Sequence, residues 1–186
     1  LNPPIVQGNT LSHAQSAVHV SVAHGALDPS KLTGNLRGSA LASGLVEMSG
    51  TLSADWLVPT IPDGLPLAVG PEGLDVPVGR TLAIGQGAKV FVDVAGGWSG
   101  LLTIEGSFSS AGSTSAPATV LPIGGVPAQP LLNVDQQGIA LSLHDLTVNG
   151  AVRILGSGVA ALQRVKVTVA IPDGADGPAR EVSRNG

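Results

Sequence analysis

Lys89-Val-Phe-Val-Asp-Val-Ala-Gly-Gly-Trp-Ser-Gly-Leu-Leu-Thr-Ile-Glu-Gly-Ser-Phe108 is the stretch whose reading decides the fold. Valine stands at 90, 92 and 94, with Lys89, Phe91 and Asp93 on the other parity. That is the period of a strand with one buried face. Gly96-Gly97 offers a turn, after which Trp98, Leu102 and Ile104 resume the even parity. The pattern predicts a hairpin whose buried side is Val90, Val92, Val94, Trp98, Leu102 and Ile104. Trp98 is one of only four aromatic residues, with Trp56, Phe91 and Phe108. Its burial is expected to make the largest single apolar contribution to this half of the chain.

Outward from this stretch the same signals recur. Val18, Val20 and Val22 alternate with His19 and Ser21, and Val165, Val167 and Val169 alternate with Lys166 and Thr168. Between 31 and 57, glycines at 34, 38, 44 and 50 divide the chain into short apolar pieces, which favours strands over a helix carrying that many glycines. Asn149-Gly150, between Leu146-Thr147-Val148 and Val152-Arg153-Ile154, is a strong hairpin signal, because this pair accepts the positive φ angles of a type I′ turn. Ile-Pro-Asp-Gly occurs at 61–64 and again at 171–174 and reads as a shared turn type, since nothing aligns around the two copies. The expected fold is all-β: an antiparallel two-sheet β-sandwich, jelly-roll-like, over residues 17–172. An extended N-terminal arm, 1–16, precedes it, and a polar tail, 173–186, follows.

The 186 residues suffice for one sizeable core. Charged residues make up 12%, against roughly 25% in an average soluble domain, so part of the surface is expected to face something other than water. Without cysteine there is neither a disulfide framework nor a thiolate zinc site. A formal charge of -4, with nine Lys and Arg spread along the chain, leaves no basic stripe for phosphates, and tyrosine is absent as a stacking platform. Nucleic acid is therefore not an expected partner. Nor is a membrane, because glycine or proline interrupts every apolar run short of the ~20 residues a spanning helix needs. The chain opens on Leu1, and removal of an initiator methionine normally requires a small second residue. Either proteolytic processing or a start beyond the natural first residue is expected.

No motif carries chemistry on its own. Gly156-Ser157-Gly158-Val159-Ala160-Ala161 has the form of a dinucleotide loop, but a strand pattern follows it where a helix is required, so no cofactor is expected. His144-Asp145 has the composition of a base and its orienter, yet neighbours on a strand point to opposite faces, so the pair reads as a surface feature. His13, His19 and His24 are spaced wrongly for one metal site on one strand face. Scattered carboxylates, Asp55, Asp63, Glu72, Asp75, Glu105 and Asp135, form no pattern. The expectation is a protein without catalytic residues, cofactor or metal.

Two segments resemble structural proteins of bacteriophage particles: Val90 to Ser107, with Gly97-Trp98-Ser99-Gly100 before Leu102-Thr103-Ile104-Glu105-Gly106-Ser107, and Gly138 to Ala170, with Val152-Arg153-Ile154 near its end. The likeness covers about the last hundred residues. It implies a virion shell, decoration or tail component whose partners are copies of itself and other virion proteins. In that reading Leu1, Ile5, Val6 and Leu11 belong to an assembly arm, which its prolines keep out of the middle of its own sheet. The competing expectation is a secreted or cell-surface binding module for carbohydrate or adhesion. The scarcity of aromatics places it second.

Overall fold

The computed structural model describes residues 2–12, 18–38, 44–60, 62, 64–94, 102–124, 130–135, 141–155, 160–168 and 181–184. The chain winds as a coil of short strands. Its first turn holds β1 (Thr10–Leu11) and β2 (Val18–Leu27), its second β3 (Leu36–Arg37), β4 (Val46–Leu52) and β5 (Trp56–Val58). The third holds β6 (Leu67–Val76) and β7 (Thr81–Ile84), and the fourth β8 (Lys89–Asp93), β9 (Leu102–Ile104) and β10 (Ser107–Ala111). The fifth is β11 (Ala118–Ile123), β12 (Leu132–Asp135) and β13 (Leu141–His144). The sixth is β14 (Leu146–Val148), β15 (Val152–Leu155) and β16 (Ala160–Gln163). β17 (Val165–Thr168) opens a further turn, and β18 (Glu181–Arg184) lies antiparallel against it.

Every other strand pair among the described residues is parallel. A parallel pair cannot be closed by a tight turn; it needs a long crossover, usually a helix. Here the crossover between neighbours on one face is a whole turn of the coil. Trp56, Leu82 and Phe108 lie in register on one face, and Leu74, Leu102 and Leu132 on another. The bent strands β4 and β6 run across two faces and join them into one parallel sheet that wraps most of the way around the axis, nearly closed like a barrel.

Inside, like stacks on like. Val90, Val120 and Val148 form one buried ladder, and Val76, Ile104 and Val134 another. Val92, Val94, Leu102, Trp56 and Phe108 are buried in the same core. At the corners the turns approach too closely for side chains. A Cβ on Gly112 would press on the Asp145 carbonyl of the next turn, and one on Gly106 would press on the carbonyls of Pro77 and Arg80.

This architecture overturns the antiparallel two-sheet sandwich. Alternation of apolar residues gives each strand an inside and an outside but is blind to the direction of its partner. β8 and β9, expected as a hairpin, do not pair with each other: β8 pairs with β6 and β11, and β9 with β6 and β12. The Asn149-Gly150 hairpin is corrected for the same reason. β14 pairs with β11 and β17 while β15 pairs with β12, neither Asn149 nor Gly150 has a positive φ, and the Asn149 N–H donates one turn down to the Val120 carbonyl at 2.9 Å. Trp98 and Leu1 lie outside the described residues, as does all of 171–174 in the repeated Ile-Pro-Asp-Gly.

The N-terminal arm is held by its own chain. The Val6 N–H donates to the Lys31 carbonyl at 2.8 Å, β1 pairs with β3, and Val6 and Leu11 pack against the core, while Ile5 is exposed. Asn35, fully buried, donates to the carbonyls of Val6 and Leu32, each at 2.8 Å, and its Oδ1 accepts from the Asn9 side chain at 3.0 Å. The backbone groups that two irregular segments bury are thereby satisfied.

Candidate functional site

Three features stand out on this coil: a polar corner, an open end and a lateral groove. The corner is built where β13 gives way to β14. Asp145 has φ 48 and Arg164, one turn on, has φ 52; both sit in the left-handed region, where strand alternation stops. The bend lets adjacent side chains meet, so His144 and Asp145 do not point to opposite faces as their sequence suggests. His144 Nδ1 lies 2.6 Å from Asp145 Oδ2 and 3.3 Å from the Gly112 carbonyl. Arg164 donates through Nε to Asp145 Oδ1 at 2.5 Å, and through Nη2 to Oδ2 at 2.7 Å and to His144 Nε2 at 3.1 Å. The geometry suits the Nδ1–H tautomer of His144.

The two-pronged Arg164 hydrogen bond holds the Asp145 carboxyl below the usual carboxylate range against the opposing effect of burial, and the charge of Arg164 adds to the lowering. Arg164 is raised in turn by its bond to Asp145. For nucleophilic catalysis the His144 ring would need a hydroxyl partner. Ser110 is the nearby hydroxyl, but its Oγ accepts from the His144 N–H at 3.0 Å and donates to the His144 carbonyl at 3.2 Å, leaving the ring alone. Asp145, His144 and Arg164 therefore act as a staple between successive turns. Among the described residues no three His, Asp or Glu side chains gather where they would hold a metal ion, and no helix is long and apolar enough to cross a membrane.

The open end is the sixth turn. Ile154 continues the ladder of Val76, Ile104 and Val134, and Leu162 that of Ile84, Ser110 and Leu143. Below them these positions are buried; here Ile154 is 45% and Leu162 41% exposed, with Leu155 beside them at 40%. β15 and β16 end their sheets with one edge unpaired among the described residues.

The groove, about 780 Å³, is lined by β5 and by residues of the turns on either side of it, from Pro29 to Phe91. Its lining includes the buried Pro29, Trp56, Val58 and Leu65, together with Pro66 and with Leu57, which is 69% exposed. Asp55 and Lys89 bring charge to it, and the Asp55 Oδ1 is engaged by the Thr81 N–H at 2.9 Å. Sequence reasoning did not find this groove, because it is made by residues from 29 to 91 that only the coil brings together.

Compared with protein-family models, curated proteins and solved structures, the chain shows no significant match. Fold and surface define the class: a coiled parallel-β protein with a stapled corner, a lateral groove and, among the described residues, exposed apolar side chains on its sixth turn.

Proposed function

We propose that this chain is a non-enzymatic structural subunit of a larger assembly that acts by docking its open end onto further copies of itself. The setting is a viral particle, which the resemblance of 90–107 and 138–170 to bacteriophage structural proteins implies, with other virion proteins as neighbours. The observation that carries the reading is the exposure of Ile154, Leu155 and Leu162 beside two strand edges that are unpaired among the described residues. A coil of this kind contacts only its neighbouring turns, and among the described residues β15 and β16 of the sixth turn lack on one side the strand partner that β12 and β13 below them have. Unpaired, uncharged edges such as Ala160-Ala161-Leu162-Gln163 invite another strand. On the neighbouring face β18 already lies antiparallel against β17, the direction a strand of a two-fold-related copy would present, which supports the reading.

Light scattering and sedimentation of the chain test the reading. Concentration-dependent association is expected for the parent and its loss in a Leu155→Lys, Leu162→Lys double variant with an unchanged circular dichroism spectrum. A parent monomeric at all concentrations defeats it. The groove favours a second reading, a secreted or cell-surface binding module.

A further inference from the structure

We infer that β18 is a stop strand: it closes one face of the coil's end and keeps that face out of contact with further copies, so that docking is confined to β15 and β16. The inference rests on the assembly reading above and names the part of the end that is shut to a partner.

The end of the coil is a step. Val148, Ile154 and Leu162 all belong to the sixth turn and all continue inner ladders. Val148 is fully buried, whereas Ile154 and Leu162 are exposed. The difference is β17, which lies against β14 with Val167 in register with Val148, while among the described residues no further strand lies against β15 or β16. Val167 is the last inner position of its ladder, yet it is half-buried and not exposed. On the side of β17 away from β14 lies β18, with Val182 opposite Val167 and Arg184 opposite Val165.

β18 ends this sheet and does not prolong the coil. β11, β14 and β17 each reach their place on this face by a turn of the coil and arrive parallel, which leaves an edge that another parallel strand could continue. β18 arrives reversed. Twelve residues, 169–180, separate Thr168 from Glu181, its partner in register, where a tight hairpin needs about two. The pairing is therefore not imposed by a short turn. β18 is also only four residues long and carries a charge at each end, Glu181 and Arg184. Short, charged edge strands are one way in which sheets resist pairing with another chain. Without β18 the edge of this face would be β17, and Val165 and Val167 would lack a covering strand as Ile154 and Leu162 do.

Sedimentation and amide hydrogen exchange of the full chain and of a full-length Val182→Pro, Ser183→Pro variant test the inference. Alternate residues of a strand turn their N–H groups to opposite sides, so one of the two prolines removes a donor that faces β17. In the parent, exchange within 165–168 should be slow at every protein concentration, whereas protection of 152–155 and 160–163 should grow with concentration. The variant should keep the parent's circular dichroism spectrum. Its exchange within 165–168 should quicken at least tenfold in dilute protein, and its half-association should fall to a concentration at least tenfold lower. An acetylated, amidated peptide of residues 179–186, Ala-Arg-Glu-Val-Ser-Arg-Asn-Gly, should restore both values when added in excess. Fast exchange within 165–168 in the dilute parent, a reading that needs no variant, overturns the inference, as does a variant that associates no more tightly than the parent. Weaker association of the variant overturns it too, because β18 is then itself the docking strand. A parent that stays monomeric, with 152–155 and 160–163 gaining no protection at any concentration, overturns the assembly reading, and the inference falls with it.

Discussion

Ile104 and Ile154 occupy the same inner position of one face, with Val134 between them, yet Ile104 is fully buried and Ile154 is 45% exposed. Chemistry and register are shared; only the presence of a turn above differs. Ile104→Ala removes buried methyl groups and leaves a cavity, and should cost about 2–5 kcal/mol in a urea titration. Ile154→Ala should cost below about 1 kcal/mol in dilute protein, because little of its burial is lost. If the proposed docking occurs, that second cost grows with protein concentration.

Asn9 and Asn35 stand 26 residues apart and one above the other, the Asn9 backbone N–H and side chain both meeting Asn35 Oδ1. Asn35→Ala deprives the Val6 and Leu32 carbonyls of their side-chain donor and the Asn9 N–H of its acceptor. A loss of about 1–3 kcal/mol is expected from the groups left without partners. Asn9→Ala, at an exposed position, should cost clearly less; both are read from chemical denaturation midpoints.

How much of this was legible in the sequence follows from such spacings. The inside of each strand is visible at Val90, Val92, Val94, Leu102 and Ile104, because period-2 alternation reports burial directly. Partner and direction are not, because a parallel ladder needs the turn length, and the turn length varies. Trp56, Leu82 and Phe108 are 26 residues apart in succession, but Ser110 to Leu143 is 33 and Leu143 to Leu162 is 19. Insertions in the corners hide the repeat. Asp145 was misjudged for a related reason: a left-handed φ at a non-glycine residue is set by the corner, not by local preference.

The pairing of Asp145 with Arg164 makes stability depend on pH in a definite direction. With its native pKa depressed, Asp145 contributes stability that is fully present above the unfolded carboxylate value of about 3.9 and is lost as pH falls through the lower native value. Asp145→Asn removes that contribution. The gap in melting temperature between parent and variant should be widest near neutrality and shrink on acidification below about pH 4. Arg164→Gln should show the same convergence. A gap that stays constant into strong acid would show that the staple does not depend on the carboxylate charge.

Gly112 and Gly85 provide a test of how closely the corners are packed. Both lie at turns, and neither has a positive φ, so alanine is compatible with both backbones. Their surroundings differ. A Cβ on Gly85 meets nothing nearer than the Thr60 hydroxyl at 3.7 Å, whereas one on Gly112 would lie 2.6 Å from the Ala118 N and closer still to the Asp145 carbonyl. Those are backbone atoms, and the Asp145 carbonyl accepts the Ala118 N–H at 3.0 Å, so neither gives way without breaking a bond between turns. Gly112→Ala should therefore cost about 1–3 kcal/mol, as overpacking does, and Gly85→Ala should be near neutral. Amide exchange at Ala118 should quicken in the first variant alone. Equal stability of the two variants would mean that the turns at this corner stand further apart than the coil described here requires.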